Sequence, residues 1–411
     1  MYDLKTGDLN DDGLTDIITA RGNPNRIEIY YNAGNDLYDG PMQLSYGAGL
    51  PRGLTISDVN LDGLNDIIFI TDSGNVKYLL QHPFGFNDPV IIDENREIQS
   101  FGAILSEDLD GDDIEDLIVL EHIHPTLYQH RSDGSYAPAK IMIDSSDFSE
   151  IYSICTGKFN GDNLKDITFG GGGYHVYFNE GAMNFSLDSN YFETLIFGLE
   201  AKDFDQNGRD DLLLKSSAVF KTILSDDSGT FTEKTNFNPS NVSYTDFKPI
   251  IVNGDAHPDV AAIYNQLDNV VWFENDGNGK FSDEKIIASF KGIFLSRMDV
   301  ADMNGDGLED LIYGGISLLA ISLQENPLSL NNISTHSIDV FPVPAINEIN
   351  ISITPENVES LQIFNYMGKL QCAVIRDNKI NISELTSGTY FLKWSTKQQS
   401  GILSFSKIAG N

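Results

Sequence analysis

The sequence predicts an all-β chain, a seven-bladed β-propeller followed by a small β-sandwich. Three observations carry this. An Asp-rich nonapeptide recurs seven times, starting at residues 8, 58, 108, 158, 203, 251 and 302, with spacings of 45 to 51 residues. Short alternating or β-branched runs between Gly/Asn/Asp clusters fill each interval, and helical periodicity is absent. The charge balance changes at residue 338: residues 338–411 hold six acids and six bases, so the net charge of −35 lies entirely before them.

Each unit has the same anatomy. An apolar stretch precedes the nonapeptide, as in Arg52-Gly-Leu-Thr-Ile56. A β-branched run follows, such as Ile67-Ile68-Phe69-Ile70, and then an alternating segment, such as Asn269-Val-Val-Trp-Phe273. A Gly/Asn turn leads to a last extended piece. Four strands per repeat make one sheet, and seven sheets closed into a ring hide most sheet edges. An open solenoid is the alternative. The propeller is assigned to 1–324, a polar linker to 325–337 and the sandwich to 338–411. Only seven residues precede the first nonapeptide, and the seventh unit fades after Leu318–Gln324. One blade is therefore expected to be completed from both chain ends, or from upstream sequence.

The nonapeptides have the chemistry of cation loops. Positions 1, 3 and 5 are Asp or Asn in the complete loops, position 6 is usually Gly, and position 9 is always Asp. A tight loop turns the alternate side chains inward, a carbonyl at position 7 adds an oxygen, and a bidentate Asp at position 9 completes the shell. Such a shell of hard oxygens suits Ca²⁺, and Gly at position 6 permits the left-handed turn around the ion. Five loops carry the full set, which predicts about five Ca²⁺ sites. The ligands are Asp8, Asn10, Asp12, Leu14 and Asp16 in loop 1, and Asp58, Asn60, Asp62, Leu64 and Asp66 in loop 2. Loop 3 supplies Asp108, Asp110, Asp112, Ile114 and Asp116, with Asp113 in the Gly position. Loop 5 supplies Asp203, Asp205, Asn207, Arg209 and Asp211, and loop 7 supplies Asp302, Asn304, Asp306, Leu308 and Asp310. Lys158 opens loop 4, where its ammonium is a possible substitute for the ion; Ile251 and Ala256 interrupt loop 6. Both are expected to be empty. An EF-hand is excluded, because position 12 (Thr19, Phe69, Val119) falls inside a strand. The simpler reading, plain Asp/Asn/Gly turns, accounts for one loop but not for a repeated 1-3-5-9 spacing.

Charge and composition narrow the function. The nonapeptides hold 25 of the 61 acids, a density that repels itself unless cations neutralise it. Millimolar calcium at a Kd of about 0.1 mM stabilises by roughly 1.4 kcal/mol per site. Cytosolic calcium is too low for this, which points outside the cell. So acidic a chain repels phosphate backbones, so no nucleic-acid partner is expected. No apolar run reaches the ~18–20 residues of a membrane-spanning helix, so an integral helical membrane protein is excluded. The start, Met1-Tyr2-Asp3-Leu4-Lys5, has no signal-peptide pattern, which alone points to the cytoplasm. Cys155 and Cys372 are too few for a disulfide framework and are read as idle thiols.

No catalytic residues are assigned. His122-Ile-His124 with His130 makes a transition-metal site conceivable, but strand-end or turn histidines are the better reading; His257 is structural. Neither G-x-S-x-G nor H-E-x-x-H occurs. Trp272 reads as core, one of Tyr30 and Tyr31 as exposed, and Gly170–Gly173 as a blade turn.

The pattern D-x-[DN]-x-[DN]-G-x-x-D with its following β residues, and the run WFENDGNGKFSD at 272–283, resemble FG-GAP/VCBS repeats. These build the calcium-binding propellers of integrin α-subunit heads and of many secreted bacterial proteins. The sandwich resembles the C-terminal sorting domain of the type IX secretion system. Its landmarks are VFPVPA at 340–345, LQIFNYMGKLQ at 361–371, INISELTSGTYFLKW at 380–394 and SKI at 406–408. The resemblance implies an Ig-like fold and engagement of the type IX translocon through 338–411. It also implies an extracellular or outer-membrane-surface location in a Gram-negative bacterium. The expected function is a monomeric, non-enzymatic binding module for an extracellular glycan or protein, as in adhesion. The alternative is a polysaccharide-degrading enzyme, most plausibly a calcium-dependent lyase, which needs a Tyr, His or Lys base beside a cation in a deep groove.

Overall fold

The fold follows from second strands that are buried on both faces. Runs such as Ile67-Ile68-Phe69-Ile70 are continuous rather than alternating because Asp66–Thr71 is buried throughout; Asp116–Val119, Asp166–Gly171, Asp259–Tyr264 and Asp310–Gly315 behave alike. A sheet of this kind must be covered on each side by another sheet. The computed structural model describes the chain apart from residues 23–24, 35–36, 45–46, 48, 84, 95–102, 121–124, 138–139, 142–149, 192–194, 217–218, 238–243, 265–268, 291–293, 316–317, 325–339, 342–345, 352–359, 366–369, 372–373, 377–378, 384, 396–399 and 408–411. The described residues form seven four-stranded antiparallel blades.

In blade 1 the strands are Asp3–Gly7, Asp16–Gly22, Asn25–Asn32 and Tyr38–Leu44, in spatial order. The other blades repeat this order, with first strands Pro51–Ser57, Ile104–Glu107, Ile151–Gly157, Gly198–Lys202, Tyr244–Ile250 and Leu295–Ala301. First strands of neighbouring blades, those of blades 3 and 4 excepted, pack side by side around the axis. Each nonapeptide joins a first strand to a second, so all seven loops lie on one face of the disc. The apolar core sits between blades: Ile18, Ala20, Ile27 and Ile29 of blade 1 pack on Leu54, Ile67, Phe69 and Leu79 of blade 2. The ring closes where Leu4, Ile17 and Tyr30 of blade 1 meet Met303, Ile312 and Leu319 of blade 7. Thr6 Oγ1 donates to Asp299 Oδ2 across that seam at 3.0 Å.

Blade 7 corrects the expectation that both chain ends share a blade. Blade 1 draws all four of its strands from residues 3–44, beginning with the axial one. Blade 7 has three strands of its own, Leu295–Ala301, Asp310–Gly315 and Leu318–Ser322, and its fourth is Ser400–Lys407 of the C-terminal sandwich. The pairing is antiparallel, with Leu318 opposite Leu403 and Ile321 opposite Ser400. Unpaired N–H and C=O groups at a bare edge invite association, and this strand covers them. The sandwich itself has two sheets. Ser360–Asn365, Leu370–Gln371, Gly388–Ser395 and Ser400–Lys407 belong to one. Val340–Phe341, Glu348–Ile351, Val374–Arg376 and Lys379–Asn381 form the other. Ile349, Ile363, Ile380 and Leu392 fill its interior and are continuous with a cluster that includes Leu318 and Ala320 of blade 7.

A chain ending at residue 337 should therefore unfold several degrees below the full chain in scanning calorimetry and self-associate in sedimentation. Equal midpoints and a monodisperse sample would show that 400–407 is not part of the ring.

Candidate metal centres

The Asp at position 9 is the first residue of every second strand, and all seven of these aspartates have 0% exposure. One carboxylate oxygen accepts the N–H of loop position 2; the other accepts the N–H at or just beyond the end of the third strand. Asp16 bonds Leu9 N and Asn32 N at 2.8 and 2.7 Å. Asp66 bonds Val59 and Gln81, Asp116 bonds Leu109 and His130, and Asp166 bonds Phe159 and Asn179. Asp211, Asp259 and Asp310 repeat the pattern with Phe204 and Ser225, Val252 and Asn275, and Met303 and Gln324. The predicted bidentate ligand is thus first a backbone clamp, present even in loops 4 and 6. Burial pushes these carboxyls up, against the pull of the two N–H donors: to about 7 for Asp16, Asp116, Asp166, Asp211 and Asp259, and to about 6 for Asp66 and Asp310.

The other positions preform the loop. The position-5 side-chain oxygen accepts the position-7 N–H in all seven loops, at 2.7–3.0 Å. The position-1 Asp accepts the N–H of position 6 at 2.8–3.0 Å in loops 1, 2, 3, 5 and 7. Position 6 is left-handed in every loop: Gly13, Gly63, Gly208 and Gly307 take it freely, and Asp113 (φ 65°), Asn163 (67°) and Ala256 (67°) adopt it despite a Cβ. Position 4 is left-handed too at Asp11, Leu61, Gly111, Gln206, Gly254 and Gly305.

The donor set fits a hard cation best in loops 3 and 5. One carboxylate oxygen from each of Asp108, Asp110 and Asp116 lies within 4.8 Å of the others, and Asp203, Asp205 and Asp211 converge likewise. Asp110 Oδ1 is buried without a hydrogen-bond partner, an arrangement that costs free energy unless something positive completes it. In loops 1, 2 and 7 an Asn takes position 3, and its amide donates to the position-5 carboxylate at 3.0–3.1 Å. Loop 4 lacks the position-1 acid, and Lys158 makes no ion pair among the described residues; its backbone N–H bonds Asp210 of blade 5 at 2.9 Å. In loop 6 the Ile251 N–H bonds Glu309 of blade 7 at 2.7 Å.

A second set of residues went unnoticed in the sequence. The residue whose N–H bonds the position-9 Asp also reaches the preceding blade. Asn32 Nδ2 donates to Met303 O at 2.7 Å, Asn179 Nδ2 to Leu109 O at 2.7 Å and Asn275 Nδ2 to Phe204 O at 2.8 Å. Gln81, with its amide nitrogen donating, reaches Leu9 O at 3.3 Å, and His130 Nε2 lies 2.8 Å from Val59 O. Each acceptor is position 2 of a nonapeptide, so five loops are clasped by the next blade. The available signal was the recurring Asn after an aromatic third strand (YYN, YFN, FEN). His130 is accordingly a buried strand-end residue, stacked on Tyr136 at 4.6 Å. His122, His124 and Cys372 lie outside the described residues. Trp272 is core at 4% exposure, and neither Tyr30 nor Tyr31 is exposed.

Comparison with known proteins agrees with this architecture. An FG-GAP-like repeat model matches residues 8–69 and 252–313, and a secretion system C-terminal sorting domain model matches 339–406. The chain is a propeller of FG-GAP-like repeats that ends in a secretion system C-terminal sorting domain. That domain implies type IX export and a secreted or cell-surface location. No curated protein matches. Among solved structures, an Agrocybe aegerita lectin that recognises non-reducing terminal N-acetylglucosamine is similar at 16% identity and a TM-score of 0.58, over 79% of this chain and 91% of that one. BBS1N in complex with ARL6DN is similar at 12% identity and a TM-score of 0.50, over 88% and 93%. Both likenesses concern the fold alone. No helix among the described residues is long and apolar enough to cross a membrane.

Two predictions separate clamp from ligand. Asp259→Asn in loop 6 should cost about 1–3 kcal/mol in denaturant melts with or without calcium, because one buried N–H then faces an amide NH₂. Asp58→Asn in loop 2 should cost little in chelator and forfeit one site's calcium-dependent gain. The second concerns pH. The position-9 carboxyls bind protons more tightly folded (about 6–7) than unfolded (about 4). The cation-free protein should therefore lose stability as pH rises from about 4 to 7, read as a falling melting temperature in chelator, and added calcium should flatten the slope.

Proposed function

We propose that this protein is a calcium-stabilised, non-enzymatic recognition propeller, exported across a Gram-negative outer membrane and displayed or released outside. The observation that carries the calcium assignment is the convergence of three carboxylates in loops 3 and 5, with Asp110 Oδ1 buried and unpartnered. Oxygen-only donors at this density select a hard divalent ion. Loops 1, 2 and 7 hold the same ion through Asp8, Asp58 and Asp302 with their partners at positions 3, 5, 7 and 9. Ions at these five loops neutralise acids packed where one blade meets the next, so the disc stays rigid in a calcium-rich exterior. Recognition is supported by the combination of a rigid ring, an export domain and a fold that also serves a lectin. A glycan and matrix-protein array probed with the full chain should give calcium-dependent binding to a defined ligand class. Absence of binding to every arrayed glycan and protein in calcium would overturn the recognition role.

A further inference from the structure

The first strands enclose an axial cavity of about 770 Å³. It lies toward the face opposite the nonapeptides. Its lining includes Arg52 and Tyr152 from the starts of first strands, Phe197 just ahead of another, and Lys215 at the far end of a second strand. The volume falls within the range of ligand pockets. The cavity reaches solvent at Phe197, which is 41% exposed.

Its charges do not balance internally: five basic side chains, Lys5, Arg52, Lys215, Lys248 and Arg297, face three acids, Asp3, Glu200 and Asp246. Each of the acids already has hydrogen-bond partners. Asp3 accepts the N–H groups of Leu4 and Leu54 at 2.9 and 2.8 Å, and Asp246 those of Phe247 and Met298 at 3.1 and 2.8 Å. Glu200 is paired with Lys248 at 2.6 Å. Lys5, Arg52, Lys215 and Arg297 form no ion pair among the described residues, and Arg52 and Arg297 both contact Tyr2. The Arg52 guanidinium lies over the Tyr2 ring, 4.5 Å from its centroid, and its Nε is buried without a hydrogen-bond partner. Arg297 Nε donates to Tyr2 O at 2.7 Å and Nη1 to Ser296 O at 2.8 Å, which leaves its charge unneutralised. Lys215 has no ion pair among the described residues; burial, opposed by Asp246 and aided by Arg297, pushes its ammonium below the usual range. In a chain with 61 acids and 26 bases, acids to pair with are abundant. Like charges gathered in a partly dehydrated cavity repel, and a bound anion removes that cost.

The walls narrow the anion's class. Tyr152 and Phe197 stand 5.3 Å apart at 36° and add aromatic surface to the lining beside the cations. A pyranose ring fits such a face, whereas a bare inorganic ion leaves it unused. We propose that the axial cavity binds the carboxylate of an acidic saccharide, which Arg52, Arg297 and Lys215 receive while Tyr152 and Phe197 line the sugar ring. The site rests on the propeller being a recognition module and names its ligand class. The carboxylate comes from an in-chain uronate or from a terminal sialate.

The test is calorimetric titration of the full chain in calcium with oligogalacturonate, with sialyllactose, with their carboxyl-reduced counterparts and with inorganic phosphate. One acidic saccharide should bind, and its reduced form at least about tenfold more weakly. Arg52→Gln and Lys215→Met should each weaken binding by about tenfold or more, while Lys215→Arg retains most of it. Unchanged melting temperatures in calcium would show the variants folded. Unsaturated product appearing with oligogalacturonate would keep the site and replace the non-enzymatic role by a lyase. Equal binding of reduced and acidic saccharides, equal binding by the variants, or phosphate binding as tightly as the saccharide would overturn the site. If the protein binds a neutral glycan or matrix protein and Arg52→Gln leaves that unchanged, the cavity proposal fails and the recognition role stands. If nothing binds, both fail.

Discussion

A buried aspartate at the start of each second strand organises the propeller. Its two oxygens accept N–H groups from the beginning of the loop and from the end of the third strand, so three successive segments of each blade are pinned to one carboxylate. The third-strand residue then reaches the loop of the blade before it. Loop geometry and blade spacing are therefore set by the same group. The cost is seven carboxylates removed from water, a burden that burial makes visible in their raised proton affinity. Cations in the adjacent loops, as proposed, would offset it.

This accounts for the uneven decay of the motif. Position 9 and the oxygen at position 5 persist in loops 4 and 6, because they hold backbone whether or not an ion is present. Positions 1 and 6 vary there. Lys158 and Ile251 give up the position-1 carboxylate, and their backbone N–H groups bond acids of the following blade instead. Ala256 accepts a left-handed backbone that glycine takes without cost.

Most of the fold was legible because its signals are local and repeated. The nonapeptide marks the turn between first and second strands, and the continuous apolar run marks a strand covered on both faces. Blade 7 was not legible. Its fourth strand comes from Ser400–Lys407, and nothing in an alternating strand says which sheet edge it will join. The clasp residues were overlooked for a similar reason: Asn32, Asn179 and Asn275 look like ordinary turn residues until their amides are seen to reach another blade. The axial cavity was invisible because Tyr2, Arg52, Lys215 and Arg297 are scattered along the chain and meet only when the ring closes.

Two faces of the disc thus have different chemistry: acidic loops on one, a cationic and aromatic cavity toward the other. A rigid ring, held at its acidic face, would present the cavity in fixed geometry, which reduces the ordering cost of binding. If the complete loops are ion cages and the degenerate ones are not, long-wavelength anomalous diffraction from crystals grown in calcium will separate them. Peaks are expected at the loops led by Asp8, Asp58, Asp108, Asp203 and Asp302 and none at those led by Lys158 and Ile251. Empty difference density at all seven loops, or equal peaks at all seven, would contradict the cage assignment.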